Sequence, residues 1–190
     1  INGVGDENPV PTAMYWRPDR MICEYNVGGV AIREDKFIAL NDVACSNITS
    51  DAAIQIEFSG QSFYKDGVSV STTATCDFDA GNNLVEIVEG GVNLVKPLSD
   101  LSVEGVMMYD GMSTILSTSK PIFGFSKTTE STGQKKYTVS TNCDSDGVSI
   151  VWSMNDDSTV ARNRAATVLA DASGELQNKT DHMNTLLNDE

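Results

Sequence analysis

Tyr137-Thr138-Val139, then Asp146-Gly147, then Val148-Ser149-Ile150-Val151-Trp152 is the stretch that decides the fold. Two β-rich runs are separated by a pair that accepts positive φ, the requirement of a tight hairpin turn. The same signature recurs upstream. Asp66-Gly67 divides Phe63-Tyr64 from Val68-Ser69-Val70. Gly90-Gly91 divides Leu84 to Val88 from Val92 to Val95, and Asp110-Gly111 divides Val106 to Tyr109 from Met112 to Leu116. These spacings predict antiparallel hairpins, with at least three of the four turns joining strands that are neighbours in a sheet. Ile54, Ile56 and Phe58 alternate with Gln55 and Glu57, and Val148, Ile150 and Trp152 alternate with Ser149, Val151 and Ser153. Period-two patterning of this kind marks strands with a buried and an exposed face. Residues 21–155 therefore read as one mainly β domain, an antiparallel sandwich or barrel-like structure.

The flanks read differently. Residues 1–20 form an extended N-terminal arm, since Pro9, Pro11 and Pro18 forbid a helix there. Met14, Tyr15 and Trp16 supply it with apolar anchors. Residues 156–190 carry helical spacing, with N-cap candidates at Asp156, Asp157 and Ser158. Leu169, Leu176 and Met183 fall seven apart, and Leu187 ends a second such row that includes Ser173 and Thr180. This pattern predicts one long amphipathic helix and a coiled-coil seam between copies of the chain, with a parallel trimer favoured. Gly174 weakens such a helix, and the acidic end Asn188-Asp189-Glu190 opposes its dipole, so the helix frays or continues further. The opening Ile1 to Gly5 lacks both an initiator Met and the pattern of a signal peptide, as expected of a trimmed chain.

Composition narrows the functions. The net charge is −14 over 190 residues. Residues 41–119 hold eleven Asp and Glu against Lys65 and Lys96. A surface of that sign repels phosphate backbones and anionic bilayers, which argues against nucleic acid as a partner. No apolar run is long enough for a membrane-spanning helix. Cys23, Cys45, Cys76 and Cys143 lack the C-x-x-C spacing of zinc or redox sites. Two disulfides, Cys23–Cys45 and Cys76–Cys143, are the expectation in an oxidising, extracellular or surface setting. Asn47 and Asn178 each begin a glycosylation sequon.

Chemistry-bearing patterns are sparse. The lone histidine, His182, lies on the expected helix and has no Ser or Cys constellation around it. Asp77-Phe78-Asp79-Ala80-Gly81-Asn82 and Asp144-Ser145-Asp146-Gly147 offer oxygen ligands of the kind calcium takes. Position 12 counted from Asp77 is Val88, however, so the EF-hand pattern fails. Gly28-Gly29 lacks the residues of a phosphate cradle. No catalytic set, resident metal or cofactor is therefore expected. The arm, β domain and trailing helix together predict a non-enzymatic structural or attachment protein of a virion, phage or cell surface that assembles as a homo-oligomer. The competing expectation is a secreted carbohydrate-binding module, or a hydrolase using carboxylates brought together from separate strands.

Overall fold

The computed structural model describes residues 9–62, 74–89, 92–98, 103–109, 112–131 and 134–188. Thirteen strands and two helices succeed one another: β1 (Ala13–Trp16), β2 (Met21–Val27), β3 (Val30–Ile38), β4 (Ala44–Ser50), β5 (Ile54–Gln61), β6 (Thr75–Asp79), β7 (Leu84–Glu89), β8 (Val92–Leu98), β9 (Val103–Tyr109), β10 (Met112–Thr118), β11 (Ile122–Thr129), β12 (Lys135–Cys143), β13 (Val148–Asn155), α1 (Ser158–Ala170) and α2 (Ala172–Asn188). An eight-stranded sheet runs β1-β2-β3-β4-β13-β10-β7-β6, a three-stranded sheet runs β11-β12-β5, and β8 pairs with β9 alone. Every pairing is antiparallel. The architecture is a β-sandwich with helices on one outer face, and it does not close into a barrel.

Strand β13 shows why three layers form. Val148 and Ile150 join the core between the two sheets, together with Ile48, Leu116 and Val139. Val151 points the other way, into a second core with Phe37, Cys45 and Ile115. Ala161, Ala165 and Val168 of α1 close this second core. Both faces of the central strand are thus covered, with Val148, Ile150 and Trp152 on one and Val151 between Ser149 and Ser153 on the other. The two alanines allow the helix to lie close to the sheet.

The turn chemistry corrects the expected hairpins. Gly147 has φ +76, as a turn glycine should, but β12 and β13 lie in different sheets. Asp146-Gly147 is therefore a crossover between layers. A Cβ at Gly147 would come 2.9 Å from the Ile48 carbonyl oxygen, so close approach fixes the glycine as much as φ does. The turns at 66–67, 90–91 and 110–111 lie outside the described residues. Their flanking strands still decide two cases: β7 pairs with β6 and β10, and β8 pairs with β9, so Gly90-Gly91 and Asp110-Gly111 join no sheet neighbours. The β8–β9 pair is an excursion between β7 and β10. The two-residue glycine hairpin of the sheet is Gly28-Gly29, with φ of +60 and +86, which sets Val27 opposite Val30. Two positive φ values in succession are the mark of a type I′ turn.

The expected arm is part of the sheet. Ala13 to Trp16 pair with Glu24 to Met21 as an edge strand. The expected single helix is two. Asp157 caps α1, its Oδ1 accepting from the Thr159 and Val160 amides at 2.7 and 3.4 Å. Asp171 then departs from helical geometry at φ −150, ψ 63, and its Oδ1 accepts from the Gly174 amide at 2.9 Å, starting α2. Gly174 is not a flaw in one long helix. It stands in the first turn of a second, where a Cβ would collide with the Asp171 carboxylate.

The disulfides are also corrected. All four cysteines are buried and free. Cys23 on β2 and Cys45 on β4 are separated by β3, a spacing of about 9.6 Å for two inter-strand steps. A disulfide needs Cα atoms within ~7 Å. Cys76 lies on β6 of the larger sheet and Cys143 on β12 of the smaller, and both thiols are free. Burial pushes the Cys45 thiol up to about 12, which suppresses the reactive thiolate. The chain should therefore show four titratable thiols once unfolded in denaturant, and added reductant should leave its thermal midpoint within about 1 °C. A loss of roughly 2–5 kcal/mol on reduction, typical of a native bridge, would contradict this. Without bridges, the cysteines carry no statement about compartment.

Candidate binding groove

The larger sheet has eight strands and the smaller three, so part of its inner face extends past the smaller sheet's edge strand β5. Register fixes which side chains lie there. Trp16, Met21, Lys36 and Ser46 follow one another across β1 to β4 as direct partners. Glu34 stands opposite Cys23 and Ile48 on the same face. A groove of about 640 Å³ opens over these residues, walled by Phe58 of β5 and Trp152 of β13. The two rings meet edge to face, with centroids 6.3 Å apart, a favoured aromatic geometry. Trp16, on the outer wall, is 78% exposed.

The floor is polar. The Glu34 carboxylate accepts from the Tyr25 hydroxyl at 2.9 Å and from the Ser46 hydroxyl. Lys36 Nζ lies 3.1 Å from its Oε2. Burial, followed by the Glu34 hydrogen bond and charge, pushes the Tyr25 phenol well above its ordinary value. Tyr25 therefore stays a donor over the whole ordinary pH range. Arg20 spans Asp19 and Asp35 at 3.5 and 3.6 Å. Burial raises Asp19, but the Thr180 hydroxyl, its own amide and the neighbouring Arg20 and Arg17 outweigh that and hold it below the usual carboxylate range. The Thr180 hydroxyl donates to Asp19 at 2.6 Å, pinning α2 to the β1–β2 loop.

Among the described residues, the acids singled out by sequence are spread over separate ion pairs and turns. Among the described residues no three His, Cys, Asp or Glu side chains come together as a metal site. Asp77 faces Lys127 at 3.0 Å. Asp79 is held by the Asn82 amide groups and by Arg162 at 3.2 Å. Glu86 receives Arg162 and the Ser158 hydroxyl. Burial works against its ionisation, yet these hydrogen bonds and the guanidinium charge hold it below the usual range. Asp79 and Glu86 thus fasten α1 to the sheet. Asp144 accepts from the Asp146 amide at 2.9 Å and from Lys120 Nζ at 2.5 Å, which organises the crossover turn.

The remaining sequence candidates are scattered. His182 is exposed on α2. The four seam residues divide: Leu169 and Leu176 pack against the chain's own second core, Met183 is half-buried, and Leu187 is 59% exposed. They form no single stripe. Asn178 is exposed. Asn47 is half-buried on an inner strand, its Oδ1 accepting from the Cys45 thiol at 3.4 Å and its amide reaching the Ala172 carbonyl at 3.5 Å. A glycan at Asn47 would have to displace the start of α2.

Sequence reasoning passed over Glu34 and Lys36. A signal for them exists in Arg33-Glu34-Asp35-Lys36, four consecutive charges inside a strand bounded by Ile32 and Phe37. Strand alternation sends two of the four to each face, so two charges must lie on the sandwich side.

No protein-family model matches the chain, and no curated protein proves similar to it. Among solved structures it is similar to the family GH92 inverting mannosidase of Bacteroides thetaiotaomicron, at 10% identity and a TM-score of 0.48. It is also similar to a proposed kojibiose phosphorylase from the human microbiome, at 8% identity and a TM-score of 0.47. The likeness covers 87% of this chain in both cases, but only 22% and 23% of those chains. A likeness this distant says nothing of what the chain binds or catalyses.

Proposed function

We propose that the chain is a non-catalytic attachment module whose groove binds carbohydrate. The observation behind this is the pairing of exposed indole with a fixed polar floor. A sugar ring has apolar C–H faces and a rim of hydroxyls. Trp16 and Trp152 offer flat apolar surface, while Glu34, Lys36 and the Tyr25–Ser46 pair offer acceptors and donors at set positions. Concave sites with apolar walls and a few placed polar groups are the usual form of small-ligand sites. A hydrolytic reading is weaker on the same geometry. Glycoside hydrolysis uses two carboxyl groups flanking one bond. The groove's carboxylates are Glu34 and Asp19, and each is engaged by its own protein partners.

A Trp16→Ala variant tests this. Its side chain is exposed, so stability should change by less than about 0.5 kcal/mol, while affinity for any bound oligosaccharide should fall at least tenfold. Calorimetry against neutral and acidic oligosaccharides, with a thermal melt as control, separates the two effects. Unchanged affinity in the variant would remove the groove as the binding site.

Homo-oligomer assembly is a second reading, and the exposed end of α2 favours it. Leu186 and Leu187 are 52% and 59% exposed there.

A further inference from the structure

The groove carries the opposite charge to the protein around it. The whole chain has 13 Lys and Arg and a net charge of −14. Four of those cations, Arg17, Arg20, Lys36 and Lys179, line this groove against Asp19 and Glu34, and Asp35 pairs with Arg20 from beside it, so a single positive charge is in excess. Lys36 is already paired with Glu34. Lys179 makes no ion pair within 4 Å among the described residues, while the charge of Arg17 acts on Asp19. The Arg20 guanidinium is already shared between two carboxylates, its Nε 3.5 Å from Asp19 and a terminal nitrogen 3.6 Å from Asp35. A local positive excess inside a strongly acidic protein focuses anions toward one place and repels them elsewhere.

Resting on the carbohydrate reading above, we propose that the groove selects an acidic glycan, one whose sugars carry carboxylates. Its rings would lie against Trp16 and Trp152 and its carboxylate would meet Lys36 and Lys179. Charge density sets the class. A nucleic acid carries a charge every ~1.7 Å of duplex and would extend beyond the groove over a chain of net charge −14. A glycan with one carboxylate per sugar or fewer places its charge in the groove and neutral hydroxyls beyond it.

The test is calorimetric titration of the intact chain with paired oligosaccharides. Oligogalacturonate, oligomannuronate, hyaluronan fragments and glucuronoxylan fragments form the acidic set; their methyl-esterified forms and cello-, xylo-, manno- and chito-oligosaccharides form the neutral set. We expect binding by at least one acidic member, at least tenfold weaker binding by its methyl ester, and weakening as salt rises from 50 to 500 mM. Lys179→Gln should weaken the acidic ligand about five- to tenfold without shifting the thermal midpoint, and Lys36→Gln should weaken it as much with a small fall in the midpoint, since Glu34 loses its cation. Equal binding of acid and ester, or binding by neutral members alone, overturns the acidic preference and leaves carbohydrate binding standing. Binding by no member at millimolar concentration overturns both.

Discussion

Val168→Asp should abolish cooperative folding of the chain. Val168 is fully buried between α1 and the larger sheet, among Ile115, Val151 and Ala165. Among the described residues the members of that core are apolar or thiol side chains, so the new carboxylate must either ionise unpaired or protonate. An uncompensated buried charge costs about 3–5 kcal/mol, a large part of the ~5–15 kcal/mol that holds a domain together. Denaturant unfolding followed by far-UV dichroism should show the midpoint collapsing or the transition disappearing. The contrast is Leu187→Asp on the exposed end of α2, which should cost less than about 0.5 kcal/mol. Leu176→Asp should fall between, because Leu176 is half-buried against the same core. The order Val168, Leu176, Leu187 distinguishes a helix docked on its own sheet from one reserved for other subunits. If Leu187→Asp dissociates an oligomer while Val168→Asp stays folded, α1 is not the third layer described above.

That order also shows what the sequence made legible. Strand alternation located the β domain because period two survives wherever one face is buried, as in β5. Heptad spacing misled for a physical reason. Leu169 and Leu176 suit a partner helix and a partner sheet equally well, and spacing alone does not say which is present. The break at Asp171 was hidden because its signal, Asp171 with Gly174 in the next turn, reads as an ordinary weak point in a helix. The hairpin signs failed similarly. Asp-Gly and Gly-Gly report that a chain turns with positive φ, as Gly147 does, and not which strands bond afterward. A sandwich uses the same tight turn to cross between layers. The groove was the least legible part. Trp16, Glu34, Phe58 and Trp152 come from four strands and meet only through register and through the unequal width of the two sheets.

Asn83→Ala should be the most damaging single change outside the apolar cores, at about 3–4 kcal/mol. Asn83 sits at φ +52 in the β6–β7 turn, a region that asparagine tolerates better than most residues. Its amide nitrogen donates to the Thr118 and Lys120 carbonyls, each at 2.8 Å, and its Oδ1 accepts from the Ile122 amide at 2.7 Å. These bonds hold the passage from β10 to β11, where the chain leaves the larger sheet for the smaller. Alanine removes all three and leaves half-buried backbone groups unpaired, at about 1–3 kcal/mol each where water does not replace the bond. It also adds roughly 1 kcal/mol or more of left-handed strain. Asn83→Gly should recover the strain and none of the hydrogen bonds, so it should rank about 1 kcal/mol above alanine and still well below asparagine. Asn83→Asp keeps the acceptor for Ile122 and turns the donor into a second oxygen facing two carbonyls. That repulsion raises the new carboxyl in the folded state, so its neutral form is favoured there. The variant's deficit should be smallest below the unfolded carboxyl value near pH 4 and should grow as pH rises through the raised folded value. Urea midpoints between pH 3 and 7 would read this directly. A glycine variant as stable as wild type would show that φ alone fixes the residue, and an aspartate variant with a pH-independent deficit would show that the side-chain bonds do not hold the crossover.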